Sequence, residues 1–430
     1  MIVLAVFAAA LFICIGLDLS ILIALGFGFV LFFGYGLLRG HRAREMFSMA
    51  FSGIKTVRNI LITFVLIGVI TAYWRNCGTI AYIVYHAMAV CDPRIMVLAT
   101  FLLCALVSFL TGTAFGTAAT MGVICASIAT GMGVPLVYTG GSVLAGSYFG
   151  DRCSPMSTSA LLIATLTKTD LYRNIVSMVK TSVIPFAAAC AVYALMGLGV
   201  ESACDVAELR SVFSENFVLS HITILPALII VVLSCFRVNV KVTMSISILC
   251  AAMIAVFVQK TDVVELLRIA LYGYQPQEKS VARLLSGGGI ISMVRVFCIV
   301  CISSCYSGMF NGTGMLDGVQ KALCRVGKRA TPFGGVLMTS VLTGMISCNQ
   351  TLTIMLTQQL CKPLVPEEEE MASHLENTAV VIAPLIPWSI AGAVPIAAVG
   401  APTVSLLAAC YLYFLPIWNL LAALVRKRHA

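Results

Sequence analysis

Three stretches of this 430-residue sequence set oxygen-bearing side chains beside predicted helix breaks. The first is Gly150-Asp151-Arg152-Cys153-Ser154-Pro155-Met156-Ser157-Thr158-Ser159. Its Gly and Pro interrupt a helix and free backbone carbonyls and amides. Asp151 adds a carboxylate, and Ser157, Thr158 and Ser159 add hydroxyl oxygens. Hard cations take such ligands, and a carboxylate at membrane depth is costly enough to need a reason. The competing reading is a short loop at a membrane surface, with Asp151 and Arg152 solvated. The second stretch runs from Thr343 to Thr351, where Asn349 and Gln350 bring uncharged amides into an apolar run. These are either ligands or bridges between neighbouring helices. The third spans Pro366 to Ser389. Its acidic run Glu367–Glu370 suits the solvated first turn of a helix. His374, Glu376, Asn377 and Thr378 follow, just ahead of an apolar stretch broken by Pro384 and Pro387. Glu376 is the last charge before that stretch, and reads either as a proton or cation carrier or as an interfacial anchor.

The elements that must position these groups are membrane helices. Hydrophobic residues make up 60% of the chain and charged residues 10%, against about a quarter charged in a soluble domain; mean hydropathy is +1.01. No Asp, Glu, Lys or Arg occurs from Ile95 to Gly150, from Ala330 to Cys361, or from Asn377 to Val425. The expected fold is an all-α polytopic membrane protein of roughly 10–12 transmembrane helices, with broken helices or re-entrant hairpins. The long unbroken apolar runs exclude a transmembrane β-barrel. Spans are expected near 1–16, 19–38, 57–74, 94–110, 172–199, 217–236, 240–259, 289–310, 333–361 and 402–425, with broken regions at 111–167 and 371–400. Gly40 to Gly53 reads as a polar link or interfacial helix.

The net charge of +9 sits in short loops, as in Arg39, Arg42 and Arg44, in Lys168, Arg173 and Lys180, in Lys321 to Arg329, and in the tail Arg426-Lys427-Arg428. Such clusters mark cytoplasmic loops, place both termini inside, and do not signal nucleic-acid binding. Most of the 17 cysteines lie in apolar runs and read as small buried hydrophobes. Trp74, Trp388 and Trp418 read as interface anchors, and Gly146 with Gly150 as a close-packing pair. No phosphate-binding loop, dinucleotide fingerprint or nucleophile elbow is present, which argues against ATP-driven transport and hydrolysis.

The two halves echo each other. Leu110-Thr111-Gly112 recurs as Leu342-Thr343-Gly344, Asn76-Cys77-Gly78-Thr79 as Asn311-Gly312-Thr313-Gly314, and Ser154-Pro155-Met156 more weakly as Ala383-Pro384-Leu385. We therefore read 1–430 as one membrane unit: a first half 1–200, a connecting loop 201–216, and a second half 217–430. Duplication with matching breaks points to a transporter site at the repeat interface.

At these residues the sequence resembles the NhaC family of sodium/proton antiporters. The resemblance rests on Gly68-Val69-Ile70-Thr71-Ala72-Tyr73-Trp74 with Gly78-Thr79-Ile80, and on Thr111 to Ala118. It rests also on Tyr148-Phe149-Gly150-Asp151 with Ser154-Pro155, and on Leu375-Glu376-Asn377 with Ala383 to Trp388. It spans nearly the whole chain. It implies a secondary carrier of the cytoplasmic membrane, built from inverted repeats with hairpins, that exchanges sodium for protons; related carriers move malate and lactate or amino acids. Three positions that are acidic in the family's pattern are neutral here: Thr158, Asn349 and Asn377. Loss of that charge implies weaker Na⁺ binding.

The expected function is thus antiport by alternating access, with Na⁺ and/or H⁺ as coupling ion and no cofactor. Asp151, Thr158 and Glu376 are the expected Na⁺ ligands, and Ser154, Ser157, Asn349, Gln350, Asn377 and Thr378 the neutral lining of the site. The alternative is an organic-solute carrier on the same scaffold, for an amino acid or a malate- or lactate-type carboxylate. Expected partners are the lipid bilayer, the small cation or solute, and a second copy of the chain in a homodimer.

Overall fold

The computed structural model describes residues 3, 6, 7, 9, 10, 13, 14 and 20–429, apart from 91, 156, 201–205, 237, 279–280, 283–284 and 314–330. The expected span at 1–16 and the basic cluster Lys321–Arg329 therefore lie largely outside the described residues. Among the described residues the structure is helical, with one isolated antiparallel bridge between Tyr274 and Gly287.

The helix ends follow local chemistry. After α1 (Ile21–Leu38), α2 (Ala43–Asn76) starts where the Glu45 carboxylate accepts from the Arg42 amide at 3.1 Å, and it runs unbroken for 34 residues. The polar link expected at 40–53 is thus the first turns of a span rather than a separate interfacial helix. At Cys77-Gly78, with Gly78 at φ +81, the chain bends by 64° into α3 (Thr79–Val90). Asp92 caps α4 (Pro93–Thr111), which ends at Gly112 in the left-handed region. A π-helical turn at Ala118–Gly122 interrupts α5 (Ala114–Gly131). Next come α6 (Leu136–Cys153), α7 (Thr158–Thr167) and α8 (Leu171–Leu198).

The middle of the chain supplies α9 (Val206–Asn216), α10 (Leu225–Cys235), α11 (Val240–Phe257), α12 (Val263–Tyr272) and α13 (Val294–Thr313). The run 333–361, read above as one span, is a helical hairpin of α14 (Pro332–Ser347) and α15 (Gln350–Cys361). It is followed by α16 (Glu368–Asn377), α17 (Ile390–Ala398) and α18 (Cys410–His429). By length and composition, Pro93–Thr111, Ala114–Gly131, Leu171–Leu198 and Ile290–Phe310 can each cross a membrane. Two bent pairs, Leu61–Asn76 with Thr79–His86 at 64° and Glu368–Leu385 with Ile390–Ala398 at 58°, have the composition of a broken span or a re-entrant loop. Shorter apolar helices of 10–17 residues complete the bundle.

Small residues let helices meet. A Cβ on Gly146 would stand 2.5 Å from the Phe101 carbonyl oxygen, and one on Gly150 would stand 2.3 Å from the Phe109 nitrogen. The Ser108 hydroxyl donates to the Ser147 carbonyl at 2.5 Å in the same seam. Close approach of α4 and α6 therefore fixes the end of α6, where Asp151 stands. Two of the three tryptophans are internal rather than interfacial. Trp74 is 1% exposed and donates to Ser247 Oγ at 3.0 Å; Trp388 is 3% exposed and donates to the Met345 carbonyl at 2.9 Å. Each indole found a buried acceptor, which removes the need for the wet interface. Trp418 is 40% exposed, as an interface residue should be.

Gly150→Val should therefore lower the melting temperature of the detergent-solubilised protein, an overpacking cost of about 1–3 kcal/mol or more. Gly34→Val, where no atom of the described residues lies within 4 Å of the new Cβ, should leave the melt unchanged. Equal melts for the two variants would refute the α4–α6 seam.

Candidate functional site

The site forms where α6, α7, the α14–α15 hairpin and α16 meet, all at helix ends. Ser154 ends α6 in an extended conformation, and Ser157 caps α7 by accepting from the Ser159 and Ala160 amides. That turn folds the Ser157 and Ser159 hydroxyls back onto the Asp151 carboxylate. Ser157 Oγ donates to Oδ1 at 3.1 Å and Ser159 Oγ to Oδ2 at 3.2 Å. The Gln350 amide acts on the same carboxylate. Asp151, Ser154 and Ser157 are all buried. Thr158 is not part of this group: it is exposed, because it stands one residue out of phase with Ser157 and Ser159. Ser159 takes the place expected of Thr158.

Arg152 is fully buried, and its guanidinium is saturated. It donates to the Glu376 carbonyl (2.9 Å), the Met178 carbonyl (3.2 Å), Thr181 Oγ1 (3.0 Å), Asn377 Oδ1 (2.5 Å), Tyr411 OH (3.2 Å) and Ser182 Oγ. One side chain on α6 therefore ties α8, α16 and α18 together. Sequence reasoning left Arg152 aside as a possible surface charge and did not reach Thr181, Ser182 or Tyr411. The signal was an Arg beside an Asp at the end of a charge-free run.

Glu376 is also fully buried, yet neither carboxylate oxygen has a hydrogen-bond partner among the described residues. Arg152 binds its backbone and not its side chain, although the carboxylate lies within electrostatic reach of both Arg152 and Asp151. A cavity of about 80 Å³ has Glu376 on its wall, along with Asn174, Ser177 and Ser373, and reaches the surface pair Arg173 and Glu369. That volume holds several waters.

The remaining predicted residues are structural in their contacts. Asn377 accepts from Arg152 and from Thr181 Oγ1 (3.1 Å). Asn349 caps α15 by accepting from the Thr351 amide at 2.9 Å. Thr378 marks the break after α16, where its hydroxyl donates to the His374 carbonyl and accepts from Ser340.

Two of the helix breaks share one geometry. At the first, Gly112 (φ +67) is followed by extended Thr113, which caps the next helix, and the Thr111 and Thr117 hydroxyls meet across it at 3.4 Å. At the second, Cys348 (φ +54) is followed by extended Asn349, and Ser347 meets Thr353 at 2.6 Å. Cys348, one helical turn past the Gly344 matched in the sequence echo, is thus the counterpart of Gly112.

A polytopic helical bundle whose broken helices converge on two buried carboxylates and one fixed cation is a secondary carrier for small ions or solutes. A sequence profile of the Na⁺/H⁺ antiporter family matches residues 1–170 and 146–425, and the chain belongs to that family. It is 26% identical over 393 residues to an uncharacterised Na⁺/H⁺ antiporter of Haemophilus influenzae, covering 86% of this chain and 82% of the relative. It is 25% identical over 431 residues to a malate-2H⁺/Na⁺-lactate antiporter of Bacillus subtilis, covering 97% and 92%. It is 24% identical over 381 residues to the Na⁺/H⁺ antiporter NhaC of Alkalihalophilus pseudofirmus, covering 86% and 82%. The protein is an NhaC-type antiporter, a multi-pass transporter.

Arg152→Lys should cost folding on the order of 3 kcal/mol, because an ammonium cannot serve acceptors on three helices at once. Size-exclusion chromatography should show aggregation for this variant and a monodisperse peak for Asp151→Asn, which keeps its hydroxyl partners. A monodisperse, wild-type-like melt for Arg152→Lys would refute the stapling role.

Proposed function

We propose that Na⁺ and H⁺ compete for the Asp151–Glu376 pair, and that the pair is exposed to one side of the cytoplasmic membrane at a time. The observation that carries this reading is the unpartnered carboxylate of Glu376 on the wall of a small polar cavity. An ionised carboxylate buried without donors is expensive, so the position calls for a proton or a metal cation. Asp151, Ser157 and Ser159 supply oxygens beside it, which suits a hard monovalent cation.

The charge count sets the stoichiometry. Asp151 and Glu376 carry two negative charges when ionised, and Arg152 stays cationic throughout. One net negative charge remains for a mobile ion to neutralise, so one Na⁺ replaces one H⁺ and exchange is electroneutral. The helix breaks at Gly112-Thr113 and Cys348-Asn349 are the joints at which related halves, as we read them, would tilt to switch access. The basic residue Arg173 at the mouth of the Glu376 cavity favours a cytoplasmic opening, and the basic tail Arg426-Lys427-Arg428 favours a cytoplasmic C-terminus. The neutral residues at 349 and 377 weaken the case for an organic solute in this cluster, since both serve as cap or anchor.

In everted vesicles from a host lacking its own antiporters, NaCl should collapse an imposed pH gradient. Glu376→Gln and Asp151→Asn should each reduce that response at least tenfold, and Thr158→Ala should leave it intact. Activity retained in Glu376→Gln would sink the assignment. Separately, a potassium diffusion potential set with valinomycin should leave the initial rate unchanged; acceleration by a potential would disprove one-for-one exchange.

A further inference from the structure

The structure holds a second polar cavity, of about 380 Å³, that the cation cluster does not use. It lies at the bend between α2 and α3 and is closed by the Gly287-Gly288 turn, the ends of α5 and α17, and the start of α6 at Leu136. Leu136 and Asp151 are 15 residues apart on α6, so the cavity sits about 22 Å along that helix from the cation cluster.

Arg75 lines this cavity, and its guanidinium makes no hydrogen bond or ion pair among the described residues, where Arg152 makes seven. No carboxylate is among the cavity's described lining residues. Beside Arg75 the chain runs through Gly287 (φ +122) and Gly288 (φ +76), and a Cβ on Gly287 would stand 3.7 Å from the guanidinium. The Gly288 amide likewise makes no hydrogen bond among the described residues, whereas those of Gly287 and Gly289 are bonded to Tyr274 and Gly68. Two unpaired donor groups thus lie on one wall.

The other walls carry the opposite preference. The hydroxyls of Thr71, Ser127 and Thr130 each donate their one proton to their own helix, at 2.8, 2.7 and 2.8 Å. Toward the cavity they can therefore only accept. A guanidinium left unpaired in a partly enclosed site favours a bidentate anion, and a wall of acceptors favours a donor on the same ligand.

We infer that this cavity binds a small carboxylate bearing a hydroxyl or ammonium on the neighbouring carbon, with the carboxylate on Arg75 and the donor on the Thr71, Ser127 and Thr130 oxygens. The site goes beyond the cation exchange assigned to Asp151 and Glu376. Its volume suits a small organic acid. Both α6 and α17 run from it to the cation cluster: Asp151 stands at the far end of α6, and the far end of α17 is tied to Cys348 by the Ile390 amide at 2.9 Å.

Three probes with one carbon skeleton test the assignment on the purified full chain in nanodiscs: L-lactate, L-alanine and propionate, measured by equilibrium dialysis. Lactate and alanine should bind saturably, and propionate about tenfold more weakly for want of the donor. Arg75→Gln should weaken all three at least tenfold. Ser127→Ala with Thr130→Val should bring lactate and alanine down to the propionate level and leave propionate unchanged. Asp151→Asn should bind lactate as the wild type does, so loss of cation exchange and loss of this site are told apart. Absence of saturable binding to any of the three, or wild-type affinity in Arg75→Gln, would overturn the inference. So would inorganic phosphate binding more tightly than lactate, which would make this a site for phosphate or lipid headgroups.

Discussion

The guanidinium of Arg152 is the constraint on which the rest of the cluster depends. A cation in the interior of a membrane bundle is tolerated when its donors are met and its charge is balanced. The donors are met by carbonyls, hydroxyls and an amide oxygen drawn from α8, α16 and α18. The charge is balanced from a distance by two carboxylates that it does not touch. Had Glu376 paired directly with Arg152, its oxygens would be closed to any mobile ion. Because Arg152 takes the backbone of Glu376 and leaves the side chain free, one residue both fixes the geometry and keeps the exchange position open.

Hydroxyl groups are abundant in this bundle, and most are spoken for locally. Thr120, Thr167, Ser303 and Thr339, among others, return their proton to a carbonyl one turn back. This removes the cost of the polar group without any partner helix. The informative hydroxyls are those that leave their own turn. Ser157 and Ser159 bend onto Asp151, while Thr181 and Ser340 reach Asn377 and Thr378 in addition to a carbonyl of their own helix. Hydroxyls also cross between helices in plain packing seams, as Ser108 does to the Ser147 carbonyl; those of the ion cluster are set apart by ending on a carboxylate.

Much of this was legible in the sequence, for physical reasons. Long charge-free runs define membrane helices by solvation alone, and Pro155, Pro384 and Pro387 must break what precedes them, so the broken regions emerged without a structure. Asp151 and Glu376 stood out because carboxylates beside such breaks are costly, and both are buried. What failed was phase and partnership. Thr158 and Ser159 are adjacent in sequence, and only the cap at Ser157 decides which one turns inward. Asn349 and Asn377 carry amides whose use depends on neighbours more than ten residues away or on a single local amide. Trp74 and Trp388 looked like interface residues because their buried acceptors, Ser247 and the Met345 carbonyl, lie far away or across a fold of the chain. Arg75 drew no attention because an Arg at the end of an apolar helix ordinarily reaches solvent.

Cys348 combines three properties: it is fully buried, it is a free thiol, and it sits in left-handed backbone geometry at the tip of the α14–α15 hairpin. A side chain in that conformation is held there by its surroundings at a cost of about 1–2 kcal/mol. When the hairpin tip loosens, the backbone is free to relax and the sulfur meets water, so chemistry and geometry are released together. If this tip is a joint of the cycle proposed above, alkylation of Cys348, followed site by site among the other free thiols, would register the time the tip spends open.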